Sequence, residues 1–327
     1  MYALRPDRIL ACCAYRPKEC THLGRRHAAP GTHGRGAARC QNEEIAAYRL
    51  SAGGDLLVTS QRKLDPYRPG AVSLRRLPGG EELVNTNPDA VIAILAFADG
   101  DDSLILAGTP GGWILDSGTS LFLWRWRTGE IKTLSENQSI HAVAVSPRGD
   151  IFVTAEGQDS REDNPFNTMG KRQIRIWDAR TGKLLKTLPL DELVYDLAFS
   201  PDGALLAARQ AGKVRILDPS SDWTETRALK MNYGTNSARV YLGAGNRVIV
   251  SDGKHHNRDG VAGIRVWYPD GELEHLLRTS GSFVPLTLSQ DGHTVAAGDG
   301  GFLRVWDLKT GTELTRHRFD DLDAKEN

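Results

Sequence analysis

The residues best equipped for chemistry lie in two polar stretches and one cysteine-bearing segment. His255 and His256, with Asp252 and Asp259 nearby, carry imidazole and carboxylate groups of the kind zinc accepts. Asp159, Glu162, Asp163 and Asn164 offer the oxygens a hard cation prefers. Neither set has metal-site spacing. Adjacent histidines on extended backbone project in different directions, no second His pair follows, and no EF-hand loop is present. Cys12, Cys13, Cys20, His22 and Cys40 also lack the paired cysteine spacing of a zinc site. The sequence therefore predicts no metal site and no cofactor.

Acid–base chemistry would need convergent groups, and His141, Tyr195, Asp196, Arg239 and Tyr241 are the candidates. In an alignment of the repeats described below, Asp196 falls opposite Ile94, Ala142 and Pro285, and His141 opposite Val284. These positions are mainly apolar or small, so Asp196 is expected to satisfy local backbone groups. GxSxG, HExxH and P-loop patterns are absent from residues 43–327. The Gly-rich GTPGGW and AGDGG stretches follow strands but open no helix, so they read as turns. A non-enzymatic protein is expected.

The elements that would position these residues follow from composition and repetition. The chain has 327 residues, with 41 basic and 41 acidic side chains. Residues 1–42 hold eight of the basic and two of the acidic ones, together with all four cysteines, leaving residues 43–327 mildly acidic. Such a body is poor ground for tracking phosphates, so nucleic acid is not expected as a partner. No window approaches the roughly 18 apolar residues of a membrane helix, and no signal peptide is read, so a cytoplasmic location and no membrane partner are expected. Residues 1–42 read as a basic, cysteine-containing disordered extension, 43–318 as the folded body, and 319–327 as a polar tail.

The body repeats. VYDLAFSPDGALLAARQAGKVRILD (194–218) gives an apolar strand, an SPDG turn, a returning strand, a second turn and a third strand. The same frame occurs six times in all. Its third-strand anchors are Arg75, Trp124, Trp177, Leu217, Trp267 and Trp306, at spacings of 49, 53, 40, 50 and 39 residues. A period near 40–45 residues with four strands per unit predicts an all-β fold, a β-propeller of four-stranded blades. Six blades are recognisable, as a six-bladed ring or a seven-bladed one with a blade missing or degenerate. A large side chain at the anchor can fill the space between adjacent sheets.

Trp177-Asp178 and Trp306-Asp307 with their TG turns, and the turns Ser146–Gly149, Ser200–Gly203 and Ser289–Gly292, resemble the WD40-repeat β-propeller family over residues 43–318. Trp124, Trp177, Asp178, Asp218, Trp267, Trp306 and Asp307 take the blade-structural positions that this resemblance implies. The departures are Arg125 after Trp124, Tyr268 after Trp267, Leu217 before Asp218, and Arg75-Arg76 in the first unit. The Gly-His pair of such repeats is missing throughout, so the family's His–Ser–Asp–Trp hydrogen-bonding set is not carried over. Blade stability is expected to rest more on packing than on that network.

Alternating strand direction sends the connections after second and fourth strands to one face. The second-to-third connections are short in the fourth and sixth units. They are long in the others: QRKLDPYRPG, TPGGWILDSGTS, GQDSREDNPFNTMGKRQ and DGKHHNRDGVAG. Long loops on a rigid scaffold are where binding concentrates. Tyr67, Arg68, Trp113, Arg161, Phe166, Met169, Arg172, His255, His256 and Arg258 are the partner-binding candidates, several of them of the types that interface hot spots favour. The expected function is a scaffold for a protein or peptide partner. The alternative is a ligand- or metal-sensing propeller module of a larger regulatory protein.

Overall fold

The structure, a computed structural model, describes residues 43–64, 67–110, 119–157, 171–230, 239–252, 263–280 and 286–318. The first blade consists of β1 (Glu43–Leu50), β2 (Leu56–Leu64), β3 (Tyr67–Arg76) and β4 (Glu81–Thr86). The second consists of β5 (Ala90–Ala98), β6 (Ser103–Pro110), β7 (Thr119–Arg125) and β8 (Glu130–Gln138). The third holds β9 (Ile140–Val145), β10 (Ile151–Glu156), β11 (Gln173–Asp178) and β12 (Leu184–Pro189). The fourth holds β13 (Asp196–Phe199), β14 (Leu206–Arg209), β15 (Lys213–Asp218) and β16 (Thr224–Lys230). The fifth holds β17 (Arg239–Leu242), β18 (Val248–Asp252), β19 (Gly263–Trp267) and β20 (Leu273–Arg278). The sixth holds β21 (Leu286–Leu288), β22 (Thr294–Asp299), β23 (Phe302–Asp307) and β24 (Glu313–Arg318). Each set is one four-stranded antiparallel sheet with its strands in chain order, so the fold is a β-propeller of six blades.

The chain forms two compact units. One comprises Met1–Leu95 with Ile105–Asn137; the other comprises Ala96–Leu104 with Gln138–Asn327 and holds the third to sixth blades.

Strand sequence explains where the core sits. First strands alternate, as in β9, where Ile140, Ala142 and Ala144 are buried while the residues between them are half-exposed. Middle strands such as β6 and β10 are mostly apolar or small on both faces, and most of their residues are buried. The third and fourth blades share a core of Val153, Ile174, Ile176, Val194, Leu206 and Leu217. Val214, Val240 and Val248, with Trp267 against them, join the fourth and fifth blades, and Ile264, Val266, Val295 and Trp306 join the fifth and sixth. Each fully buried side chain of this size contributes about 1.5–3 kcal/mol.

The anchors do not all behave alike. Trp124, Trp177, Leu217 and Trp306 are buried, but Arg75 is 44% exposed and paired with Glu82 at 2.9 Å. The first blade thus departs from the others at this position, because a guanidinium keeps its charge in water.

The first blade also corrects the loop assignment. QRKLDPYRPG is almost entirely strand: β2 runs on to Leu64, β3 begins at Tyr67, and Leu64 pairs with Tyr67 and Lys63 with Arg68. A bulge between Ser60 and Arg62 accommodates the longer hairpin. Gly70 sits there because a Cβ would lie 2.5 Å from the Gln61 carbonyl oxygen.

Candidate functional site

Within the unit holding the third to sixth blades, the two ends of the blades differ. At one end are the first-to-second-strand turns. In those of the third, fourth and sixth blades, the serine hydroxyl accepts the backbone N–H that closes the turn: Ile151 to Ser146 at 3.3 Å, Leu205 to Ser200 at 2.9 Å, and Thr294 to Ser289 at 2.9 Å. Ser200 and Ser289 donate in turn to Asp202 and Asp291, and these hydrogen bonds hold both carboxyls below the usual carboxylate range. The turns nest against one another. Asp99 N–H donates to Gly149 O at 2.8 Å, Ala244 N–H donates to Gly292 O at 2.9 Å, and Gly203 lies against Pro147. This end is a closed row of tight turns. Asp178, Asp218 and Asp307 make the third-to-fourth-strand turns in the same way, accepting from Thr181, Ser220 and Thr310 at 2.7 Å.

At the opposite end the first strands begin, and polar side chains link them. The His141 ring lies edge-on to Tyr195, with centroids 6.1 Å apart, and its Nε2–H donates to Gly157 O at 2.6 Å. The Asp196 carboxylate accepts Val240 N–H at 2.7 Å and Arg239 Nη1–H at 3.2 Å, which joins β13 to β17. Tyr241 Oη–H donates to Leu286 O at 2.6 Å, which joins β17 to β21. Arg209, directly across the ladder from Asp196, is buried with its guanidinium 5.4 Å from the Tyr195 ring. Burial pushes the Asp196 carboxyl above its ordinary value, against the opposing pull of Arg239, Val240 N–H and Arg209.

The second strands of these blades end here as well, and in three of them the repeat comparison passed over a polar residue at or just past the strand end. Gln210 Nε2–H donates to Glu192 O at 3.1 Å, and Asp299 Oδ1 accepts Ser280 N–H at 2.7 Å. Both tie the incoming connection to the blade. In the third blade the residue is Glu156, fully buried. It accepts from Thr154 Oγ1 at 2.9 Å and Gln173 Nε2 at 3.0 Å, and Arg175 lies 3.4 Å away. Trp177 Nε1–H donates to Thr154 Oγ1 at 3.1 Å and completes the chain. Hydrogen bonding joins packing in this blade: without the family's histidine, a glutamate two residues along the same strand face supplies the acceptor. Trp124 is the contrast, its buried Nε1 having no hydrogen-bond partner among the described residues. The sequence signal was available, since FVTAE, LAARQ and VAAGD each close a strand on Glu, Gln or Asp.

The long second-to-third connections of the third and fifth blades leave from this end, between Glu156 and Gln173 and between Asp252 and Gly263. Of the partner-binding candidates, Tyr67 and Arg68 lie on β3 rather than in a loop. Arg172 is half-buried, with Nη1–H donating to Asp191 O at 2.8 Å and its own carbonyl accepting Leu190 N–H at 2.9 Å. It braces the root of its connection. Trp113, Arg161, Phe166, Met169, His255, His256 and Arg258 lie outside the described residues, as do residues 1–42 and 319–327.

Among the described residues, no group of three or more His, Cys, Asp or Glu is placed to hold a metal ion, and no helix is long and apolar enough to cross a membrane. No curated protein matches the sequence. A family model described as WD domain, G-beta repeat matches residues 182–218, which run from the turn before β12 to the end of β15. With one repeat matched and six four-stranded blades built to one plan, the chain is a WD40-repeat β-propeller.

Proposed function

We propose that this propeller is a non-catalytic scaffold that binds a protein or peptide partner at the end of its blades carrying the long second-to-third-strand connections. WD40 propellers are generally protein-interaction scaffolds and typically do no chemistry. The observation that carries the reading is the difference between the two ends of the third to sixth blades. One end spends its turns on one another, as in Ala244 N–H to Gly292 O. The other collects the insertions, together with His141, Tyr195, Asp196 and Arg239 at the strand starts. Phe166, Met169, Trp113 and the Arg161, Arg258, His255 and His256 side chains supply contact types that hot spots favour. Arg172 holds the root of its own connection in place.

The test is affinity capture with three forms of the chain. One is intact, one has residues 158–170 replaced by a short Gly-Ser link that spares Gly157 and Arg172, and one is shortened at 254–260. Loss of co-purifying chains from either shortened form, at unchanged melting temperature, is the expected result. If every partner survives both changes, the loop-bearing end is not the binding surface.

A further inference from the structure

Arg239 is placed unlike the other arginines at this end. Its side chain is 60% exposed, whereas that of its ion partner Asp196 is 11% exposed, so the cation is the outward member of the pair. Among the described residues, one N–H of its guanidinium, on Nη1, is engaged, and the fork has five donors. Asp196 cannot neutralise it fully. Its second oxygen is spent on Val240 N–H, and Arg209 stands directly across the ladder and draws on the same carboxylate. Asp196 thus competes for the guanidinium from the buried side, while the arginine side chain as a whole stays largely exposed. On the side of the third blade, the His141 and Tyr195 rings meet edge-on at 6.1 Å, and the Arg209 guanidinium lies 5.4 Å from the Tyr195 ring.

We infer that Arg239 is a carboxylate-binding site, which takes an Asp or Glu side chain of a partner peptide lying across the starts of β9, β13 and β17. This rests on the reading that the loop-bearing end receives a polypeptide. The choice of carboxylate over phosphate follows from number and shape. One exposed guanidinium offers a single planar fork, which matches the two oxygens of a carboxylate. A phosphorylated residue carries more charge and is met by clusters of arginines.

The probes are labelled hexaglutamate and hexaglutamine peptides and a phosphoserine peptide of charge equal to the first, followed by fluorescence anisotropy at about 50 mM salt, where screening is weak. The intact chain is expected to bind hexaglutamate at least tenfold more tightly than hexaglutamine. Arg239→Gln is expected to weaken hexaglutamate binding about three- to tenfold, the range for losing one exposed charge-assisted contact. Asp196→Asn is expected to tighten it about threefold, because the competing carboxylate is gone while the amide oxygen still accepts Val240 N–H. That opposite shift guards against Arg239→Gln acting only through stability. Hexaglutamate binding that is absent, or unmoved by both variants, overturns the inference, as does tighter binding of the phosphoserine peptide. If Arg239→Gln leaves peptide binding intact while loop shortening removes the captured partners, the carboxylate site fails and the scaffold reading stands. If partners survive both shortenings while Arg239→Gln abolishes peptide binding, the loop reading fails instead.

Discussion

Asp196, the first residue of β13, accepts the backbone N–H of Val240, the second residue of β17, at 2.7 Å, so one carboxylate spans the first strands of adjoining blades. A backbone donor at a blade seam is satisfied by a side chain from the next sheet. The cost is a carboxylate withdrawn from water, and that cost sets its titration.

Because burial raises the folded-state pKa of Asp196 above the ordinary 3.8, the folded state holds its proton longer than the unfolded state does. Stability from this group is fully present below about 3.8 and is lost as pH rises through the higher folded value. Asp196→Asn does not titrate. Its melting temperature relative to the unmodified chain is expected to move in the variant's favour between pH 4 and pH 7. Movement in the opposite direction would mean that Arg239 outweighs burial.

Asp299 has the reverse sign. Burial pushes its carboxyl up, but the Ser280 hydroxyl and N–H and Arg304 Nη1, at 2.8 Å from Oδ2, outweigh burial and hold the pKa below 3.8. Its stabilisation is present above the unfolded value and disappears as pH falls through the folded one. Asp299→Asn is expected to cost about 1–3 kcal/mol at pH 7 and progressively less towards pH 3, measured by urea unfolding at each pH.

Glu156→Ala removes the acceptor shared by Thr154, Gln173 and Arg175 in the third blade. A buried hydroxyl and amide are left without their partner, so a loss of about 2–4 kcal/mol is expected, and Glu156→Gln should cost less. Calorimetry would register the first as a fall of roughly 5–10 °C. A fall no larger than that of an exposed-site control such as Glu81→Ala would show that the network contributes little.

Two glycines separate backbone strain from crowding. Gly54 has φ +73° with open space around a notional Cβ, whereas Gly292 has φ +72° with Ala244 N 2.6 Å and Pro201 Cγ 2.7 Å from it. Gly54→Ala is expected to cost about 1–2 kcal/mol for the left-handed conformation alone. Gly292→Ala should cost at least about 1 kcal/mol more, because the turns of adjoining blades must part. Equal costs by chemical denaturation would mean that the turns do not nest.

The repeat was legible because it is written locally. Alternation in IHAVAV, the Ser–Gly turns and the Asp caps at 178, 218 and 307 involve neighbours within a few residues, so a single chain displays them. The length of the first blade's hairpin was not legible. Charged, proline-containing QRKLDPYRPG has the composition of a loop, and strand pairing across Leu64 and Tyr67 overrode it.

The candidate site divides along the same line. The sequence by itself determined which blades carry long connections, because insertion length is a property of the chain. It also presented Glu156, Gln210 and Asp299 as polar strand ends, without partners. Only the tertiary structure decided that Asp196 meets Val240, that Arg239 faces outward from that pair, and that Arg172 braces Asp191. Asp196 and Val240 are 44 positions apart, and hydrogen bonding and desolvation act over a few ångströms of space. Chain separation says nothing of such contacts until the blades are stacked.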